Sequence, residues 1–341
     1  MRAVYFTGEY DIEIRDIPVP SPQKGEVLLE MKASGICGSD LSILSATKPN
    51  GNTTKDLIIP GHEPVGIIRE LGSNVQGLAV GDRVMMHHYS GCLNCSMCKI
   101  GFTQMCLVHH EVYGRTMNGG HEDYMIVPEY TCIPMPEELD FASAAACACG
   151  TGTAFQALKR LSIPTDSILA VFGQGPVGLS ATMFASQMNV KVIAIDVVKE
   201  RLELAKELGA WETINSKETD AEERIRELTN GEGSDFALDA TGIPEVRVQA
   251  VDSTKYWGTV CFVGEGNTTT FDISKQIIHK QLSVIGSWTF SQSGLSNVAN
   301  FVVDKKSPMA KLITHTFELK DAEQAYEKFV IGNTGKVIFT W

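Results

Sequence analysis

The chain has 341 residues, 43% of them apolar, enough for about two ordinary domains with real cores. Its formal charge of −12 is spread without long acidic or basic blocks, so nucleic acid is not an expected partner. Nine cysteines, an odd count, argue against a secreted disulfide framework and point to a reducing, cytoplasmic setting.

The opening run M-R-A-V-Y-F-T-G-E-Y-D-I-E-I reads as a strand, with acids too early for an apolar leader. Short β-type runs follow at 27–31, 64–68 and 82–86, bounded by glycines and charged turns, and predict a compact β-rich domain. Among them lie Cys37-Gly38-Ser39-Asp40 and Gly61-His62-Glu63, whose Cys and His, taken singly, read as ordinary core residues.

Next come Cys92, Cys95, Cys98 and Cys106, a C-x2-C-x2-C-x7-C pattern. Two-residue gaps let thiolates converge on one ion, and four thiolates fill a tetrahedral zinc shell with no open position. This zinc is therefore structural, in a loop over 92–106. Iron–sulfur ligation is the chemical alternative, which the rest of the chain argues against.

After Thr151 the texture changes. A buried-strand run at 167–172 leads into a Gly-rich turn and a helical pattern at 177–188. A second buried strand, 190–195, precedes an amphipathic helix at 199–208 that Gly209 stops. Strands at 235–239 and 258–263 alternate with helices near 222–228 and 245–251. Such alternation implies an α/β fold, a doubly wound parallel sheet covered on both faces. No stretch approaches membrane-spanning length uninterrupted; the nearest, 167–188, is broken by Gly173, Gly175, Pro176 and Gly178, so no membrane partner is expected. A last strand at 335–339 is placed to return to the first domain.

Gly173, Gly175 and Gly178 form G-x-G-x-x-G after a predicted strand and, with Pro176 and Val177, open a predicted helix. Gly173 permits the tight turn, Gly175 the approach of a pyrophosphate, and Gly178 close helix–strand packing. Asp196, at the end of the next strand, is suited to both ribose hydroxyls of NAD and repels the 2′-phosphate of NADP, a preference that Lys199 and Arg201 soften. The strand ends Asp239-Ala240-Thr241-Gly242 and Val263-Gly264 are expected to line the cofactor site.

In combination, the four-cysteine loop, the dinucleotide motif, Cys37-Gly38-Ser39-Asp40 and Gly61-His62-Glu63 resemble the zinc-dependent medium-chain alcohol and polyol dehydrogenases, in the right order over essentially the whole chain. The resemblance implies a GroES-like catalytic domain at 1–150, a Rossmann domain at 151–288 and a segment, 289–341, returning to the catalytic domain. It implies a second, catalytic zinc on Cys37, His62 and a third ligand. Register against Gly150 and Thr153 selects Cys149 for that ligand, with Cys147 as the alternative. Two thiolates and an imidazole leave one position open for water or substrate oxygen. The family's Glu near the metal corresponds to Glu63, and Asp40 is expected to orient His62. Ser39 matches the family's relay hydroxyl, but the His that ends that relay in many relatives is here Ser42. Family register also puts His88, Glu111 and His121, all polar, where simple alcohol dehydrogenases often carry apolar pocket residues. The implied activity is oxidation of a polyol, sugar or amino-polyol hydroxyl with hydride transfer to NAD, simple alcohols being the alternative. A homodimer or homotetramer is the implied assembly. A zinc-free reductase on the same frame would need neither the ligands nor the thiolate loop, and a non-enzymatic relative would be expected to have lost them.

Overall fold

The computed structural model describes residues 1–45 and 57–341. The chain divides into two compact units: one of 1–152, 290–306 and 313–341, the other of 153–289 and 307–312.

The spine of the first unit is the long strand Glu26–Ile36. Its alternate residues Val27, Leu29 and Met31 are fully buried and pack with Ile68, Val84, Met86, Met125 and Val127. A mixed sheet forms around it in the order Ile313–Glu318, Lys336–Thr340, Glu26–Ile36, Pro64–Leu71, Arg83–Met86 and Cys132–Pro134, with Tyr124–Pro128 also paired to the spine. The C-terminal strand Lys336–Thr340 runs antiparallel to the spine, with Val337 opposite Ile36. A second core joins Val4, Phe6, Ile36 and Leu44 to Tyr326 and Phe329 of the helix Ala322–Ile331 and to Phe339. That helix ends on Gly332 at φ 81°, the left-handed cap a glycine adopts freely.

The second unit is built on six parallel strands, ordered Glu212–Asn215, Lys191–Asp196, Ile168–Phe172, Ser234–Asp239, Thr254–Phe262 and Ser283–Gly286. The first of these in sequence lies inside the sheet, and the chain winds outward from it in both directions. Near-continuous apolar runs follow from burial on both faces: Ala170, Phe172, Ile193, Ala237 and Val260 are all fully buried. The expected alternation of strands and helices is what folds here, with helix Pro176–Gln187 directly after the first strand.

Several elements have no counterpart in the sequence reading, and one of them bears on the site. Between helices Phe141–Ala146 and Gly152–Leu161 the backbone loosens into a π-helical turn, Cys147–Thr151, a rare geometry that gathers at functional sites.

Candidate functional site

Cys37 precedes the short helix Gly38–Leu44 as its N-cap. Asp40, in the first turn, accepts the Cys37 backbone N–H at 2.8 Å through Oδ2 and the His62 Nδ1–H at 3.0 Å through Oδ1. One buried carboxylate thus fixes the backbone of one thiol residue and the tautomer of one imidazole. With its proton on Nδ1, His62 keeps a lone pair on Nε2, and the Ser39 hydroxyl lies 3.3 Å from that nitrogen. Cys149 comes from the π-helical turn, and its Sγ stands 3.8 Å from that of Cys37. The hydrogen bond with Cys149 and the nearby His62 hold the Cys37 thiol well below its usual range, while the same bond and burial push Cys149 well up.

The donor atoms of Cys37, His62, Glu63 and Cys149 all lie within 4.8 Å of one another. Two sulfurs and an imidazole nitrogen are a donor set suited to zinc. Cys147 is absent from this group; it is fully buried, and burial pushes its thiol up to about 12. Glu63 is also fully buried: Lys336 Nζ donates to its Oε1 and, at 2.9 Å, to the Ile36 carbonyl, while Oε2 has no hydrogen-bond partner among the described residues. The Glu63 carboxylate occupies space that exists because residue 35 is glycine, since a Cβ there would collide with Oε2. Lys336 is a member of the site that sequence reasoning missed. Nothing marks it locally, and it meets Glu63 from 273 residues away.

The polar residues expected around a substrate do not come together. His88 is 2% exposed, its ring edge-on to that of His62 with centroids 5.1 Å apart. Glu111 lies on the short strand His110–Val112, where it accepts a hydrogen bond from Thr116 at 2.5 Å in exposed surroundings. His121 is fully buried, with Nδ1 3.1 Å from the Tyr326 hydroxyl and Nε2 3.4 Å from the Gly35 carbonyl. Burial pushes its imidazole down to about 4. Both of its nitrogens are engaged inside the core, so the expectation of a substrate contact at His121 gives way to a packing role. Ser42 donates to the Ser39 carbonyl at 2.7 Å on an exposed surface.

The four cysteines of the loop also converge, their sulfurs within 4.8 Å of one another. Backbone N–H groups point at them: Cys92 N to Cys106 Sγ at 3.4 Å, Cys95 N to Cys92 Sγ at 3.4 Å, and Leu107 N to Cys95 Sγ at 3.5 Å. The N–H of Cys92 leads in drawing the Cys106 thiol down to about 5. Four sulfurs so arranged fit a closed zinc shell.

In the second unit a cavity of about 320 Å³ is lined by Gly173, Gly175, Asp196, Arg201, Ser216 and Thr241, among others. Gly173 turns at φ 86°, and a Cβ on Gly178 would strike the Gly173 carbonyl oxygen. A Cβ on Gly175 would meet nothing within 4 Å, so that side is open for a ligand. Pro176 and Val177 begin the helix, whose free N–H groups suit a diphosphate. Asp196 is engaged by three backbone N–H groups, those of Gln174 at 2.5 Å, Val197 at 2.7 Å and Val198 at 2.9 Å, with Arg201 Nη1 4.0 Å away. Gln174 braces the turn through Val171 and Thr182. Val263 does not line the cavity; its N–H bonds to the Asp239 carbonyl beside it.

Residues 23–137 match the family model described as the alcohol dehydrogenase GroES-like domain, and residues 176–304 match that of the zinc-binding dehydrogenase. The chain is 35% identical over 350 residues to the uncharacterized zinc-type alcohol dehydrogenase-like protein YphC of Escherichia coli strain K12, covering 100% of this chain and 99% of that one. It is 31% identical to an erythritol/L-threitol dehydrogenase of Mycolicibacterium smegmatis, covering 97% of this chain and 95% of that one. Among solved structures, an alcohol dehydrogenase of Escherichia coli CFT073 complexed with NADH superposes with a TM-score of 0.90 at 27% identity, over 100% of this chain and 99% of that one.

Proposed function

The chain belongs to the zinc-dependent medium-chain alcohol and polyol dehydrogenases, a family of oxidoreductases, and from that premise we propose that it reversibly oxidises a hydroxyl of a polar alcohol to a carbonyl with hydride transfer to NAD. The observation that carries the proposal is the convergence of Cys37, His62 and Cys149 from three distant segments onto one point, with Asp40 fixing the His62 tautomer. Cys37, His62 and Cys149 would hold a zinc ion, which when bound supplies Lewis acidity toward an alcohol oxygen.

The remaining work falls to the chain's own groups. Asp40 keeps the Nε2 lone pair of His62 directed at the metal position. Ser39, within hydrogen-bond distance of that nitrogen, is the hydroxyl suited to carry the alcohol's proton away. Ser42 bonds back to the backbone, so it does not extend such a relay as a histidine would. Glu63, neutralised by Lys336, adds no net charge to the metal position. Cys92, Cys95, Cys98 and Cys106 would hold a second, structural zinc. In the other unit Gly173, Gly175 and the start of the helix at Pro176 would bind the NAD diphosphate, with Asp196 facing the ribose. In this reading 1–150 is the catalytic domain, 151–288 the NAD domain, and 289–341 returns to the first. The exposed edge strand Ser283–Gly286 is available to pair subunits in a dimer or tetramer.

A polar substrate is favoured because a relative sharing nearly its whole length with this chain is an erythritol/L-threitol dehydrogenase, and because His88 is a polar group packed against His62. NAD is favoured by Asp196 and by the NADH-bound structural relative. Metal analysis tests the reading. Two zinc ions per chain are expected, one removable by chelator together with activity, the other retained. One metal per chain, held only at the four-cysteine loop, would overturn it, and faster turnover of simple alkanols than of polyols would overturn the substrate class.

A further inference from the structure

Arg247 sits on the helix Pro244–Asp252 and turns its guanidinium onto the loop that follows strand Thr254–Phe262. Nη2 donates to the Gly264 carbonyl at 2.7 Å and to the Gly266 carbonyl at 2.9 Å. Nη1 donates to the Thr269 hydroxyl at 3.2 Å and to the Asn267 carbonyl at 3.3 Å. Every N–H of its terminal nitrogens is thus engaged, and Nε stands 3.5 Å from Oδ2 of the fully buried Asp239. Asp239 in turn accepts from the Thr241 N–H at 2.9 Å, the Thr241 hydroxyl at 2.6 Å and the Gly242 N–H at 3.2 Å. Asn267 adds a second tie by donating to the Gly242 carbonyl at 3.0 Å. Gly242 and Gly264 approach so closely that a Cβ on either would strike backbone of the other segment. One cation thereby locks the loop 264–269 against the end of strand Ser234–Asp239.

Asp196, suited to the adenosine ribose, ends a strand on one side of Ile168–Phe172, whose turn suits the diphosphate; Ser234–Asp239 and Thr254–Phe262 stand on the other side. A dinucleotide crossing that turn carries its nicotinamide half over the ends of those two strands. Thr241, held by Asp239, already lines the cavity. We propose that Arg247 is a positioning residue for NAD: it holds the loop 264–269 on Thr241 and Gly242 in advance, so that the nicotinamide half meets a wall already formed. The inference rests on the NAD reading above and deepens it. A loop left to order itself on binding would subtract its ordering cost from the affinity. Asp196 takes no part in the lock, so the adenosine half should not sense its loss.

Calorimetric titration of the zinc-loaded full chain with NAD and, separately, with AMP, which has only the adenosine half, makes the test. Arg247→Lys keeps a cation opposite Asp239, but an ammonium cannot span the four acceptors of the loop. It should raise Kd and KM for NAD by roughly tenfold, hold AMP affinity within about twofold, and lower kcat at saturating NAD by less than about threefold. Asn267→Ala, which removes only the tie to Gly242, should weaken NAD in the same selective way by about three- to fivefold. Hydrogen exchange at 264–269 should quicken in both variants without NAD and slow again once NAD is bound. If NAD and AMP weaken together, or if NAD affinity is unchanged in Arg247→Lys, the assignment of Arg247 is wrong while the NAD reading stands. Should Arg247→Lys fail to fold, Asn267→Ala decides by the same two outcomes. If the wild type itself binds no NAD, the NAD reading falls and this inference with it.

Discussion

Lys336 turns its ammonium inward, fully buried, onto Glu63 and the carbonyl of Ile36. Removing that ammonium strands a buried carboxylate whose other oxygen has no hydrogen-bond partner among the described residues. Lys336→Met is therefore expected to destabilise the protein by about 3–5 kcal/mol, and Lys336→Met combined with Glu63→Gln by distinctly less, because the uncompensated charge is then gone. Urea unfolding of the two single variants and the double variant measures this coupling; equal losses in Lys336→Met and in the double variant would mean that the pair is not coupled. At this scale the sequence was uneven as a guide. Cys37, His62 and the loop cysteines stood out by residue type and spacing. The choice of Cys149 over Cys147 needed family register, and a two-residue shift along a π-helical turn is what separates a thiol facing Cys37 from one in the core. His121 was misread because its direction is set by Tyr326, 205 residues away.

Among the elements, the turn from strand Ile168–Phe172 into helix Pro176–Gln187 separates two uses of glycine. At Gly178 a methyl group would press on the Gly173 carbonyl, so Gly178→Ala must push the helix off the strand. It should lose stability by about 1–3 kcal/mol, as overpacked sites do, and bind NAD poorly. At Gly175 a methyl group meets only open space. Gly175→Ala should fold with an unchanged melting temperature yet bind NAD at least about tenfold more weakly, by blocking approach to backbone N–H groups. Calorimetric titration with NAD beside thermal melting distinguishes the two; a Gly175→Ala variant with normal NAD affinity would remove the diphosphate from this turn. The parallel sheet was legible because strands buried on both faces read as unbroken apolar runs, and glycines punctuate them. The π-helical turn was not, since Ala-Cys-Ala-Cys-Gly carries no local mark of a widened backbone.

Across the first unit, Asp123 links residues far apart in the chain. It accepts from the Arg2 backbone N–H at 2.6 Å, the Arg2 guanidinium at 2.8 Å and the Trp341 indole at 2.9 Å. Burial opposes its ionisation, but these donors outweigh it and hold the carboxyl below its usual range. A depressed carboxyl contributes stability above its unfolded pKa of about 3.9 and loses that contribution as pH falls through the folded value. Asp123→Asn should cost about 1–2 kcal/mol near neutrality, allowing for solvent around Arg2, and almost nothing at the acid end. Melting temperatures of both proteins, followed from about pH 6 down to pH 3, should converge as acidity rises; a constant gap would show that charge is not what Asp123 contributes. The tie itself was invisible in the sequence, where its three members read as two unremarkable charges and a terminal aromatic.

The same long reach has a consequence for how the protein is made. The four-cysteine loop closes between sulfur-bearing residues only 14 apart, so it can capture its ion while the ribosome is still at work. The other centre joins Cys37 to a thiol 112 residues later, and Ile36 to an ammonium 300 residues later. Its ligands and the Lys336–Glu63 pair can come together only once strand Lys336–Thr340 has been made, long after the loop could close.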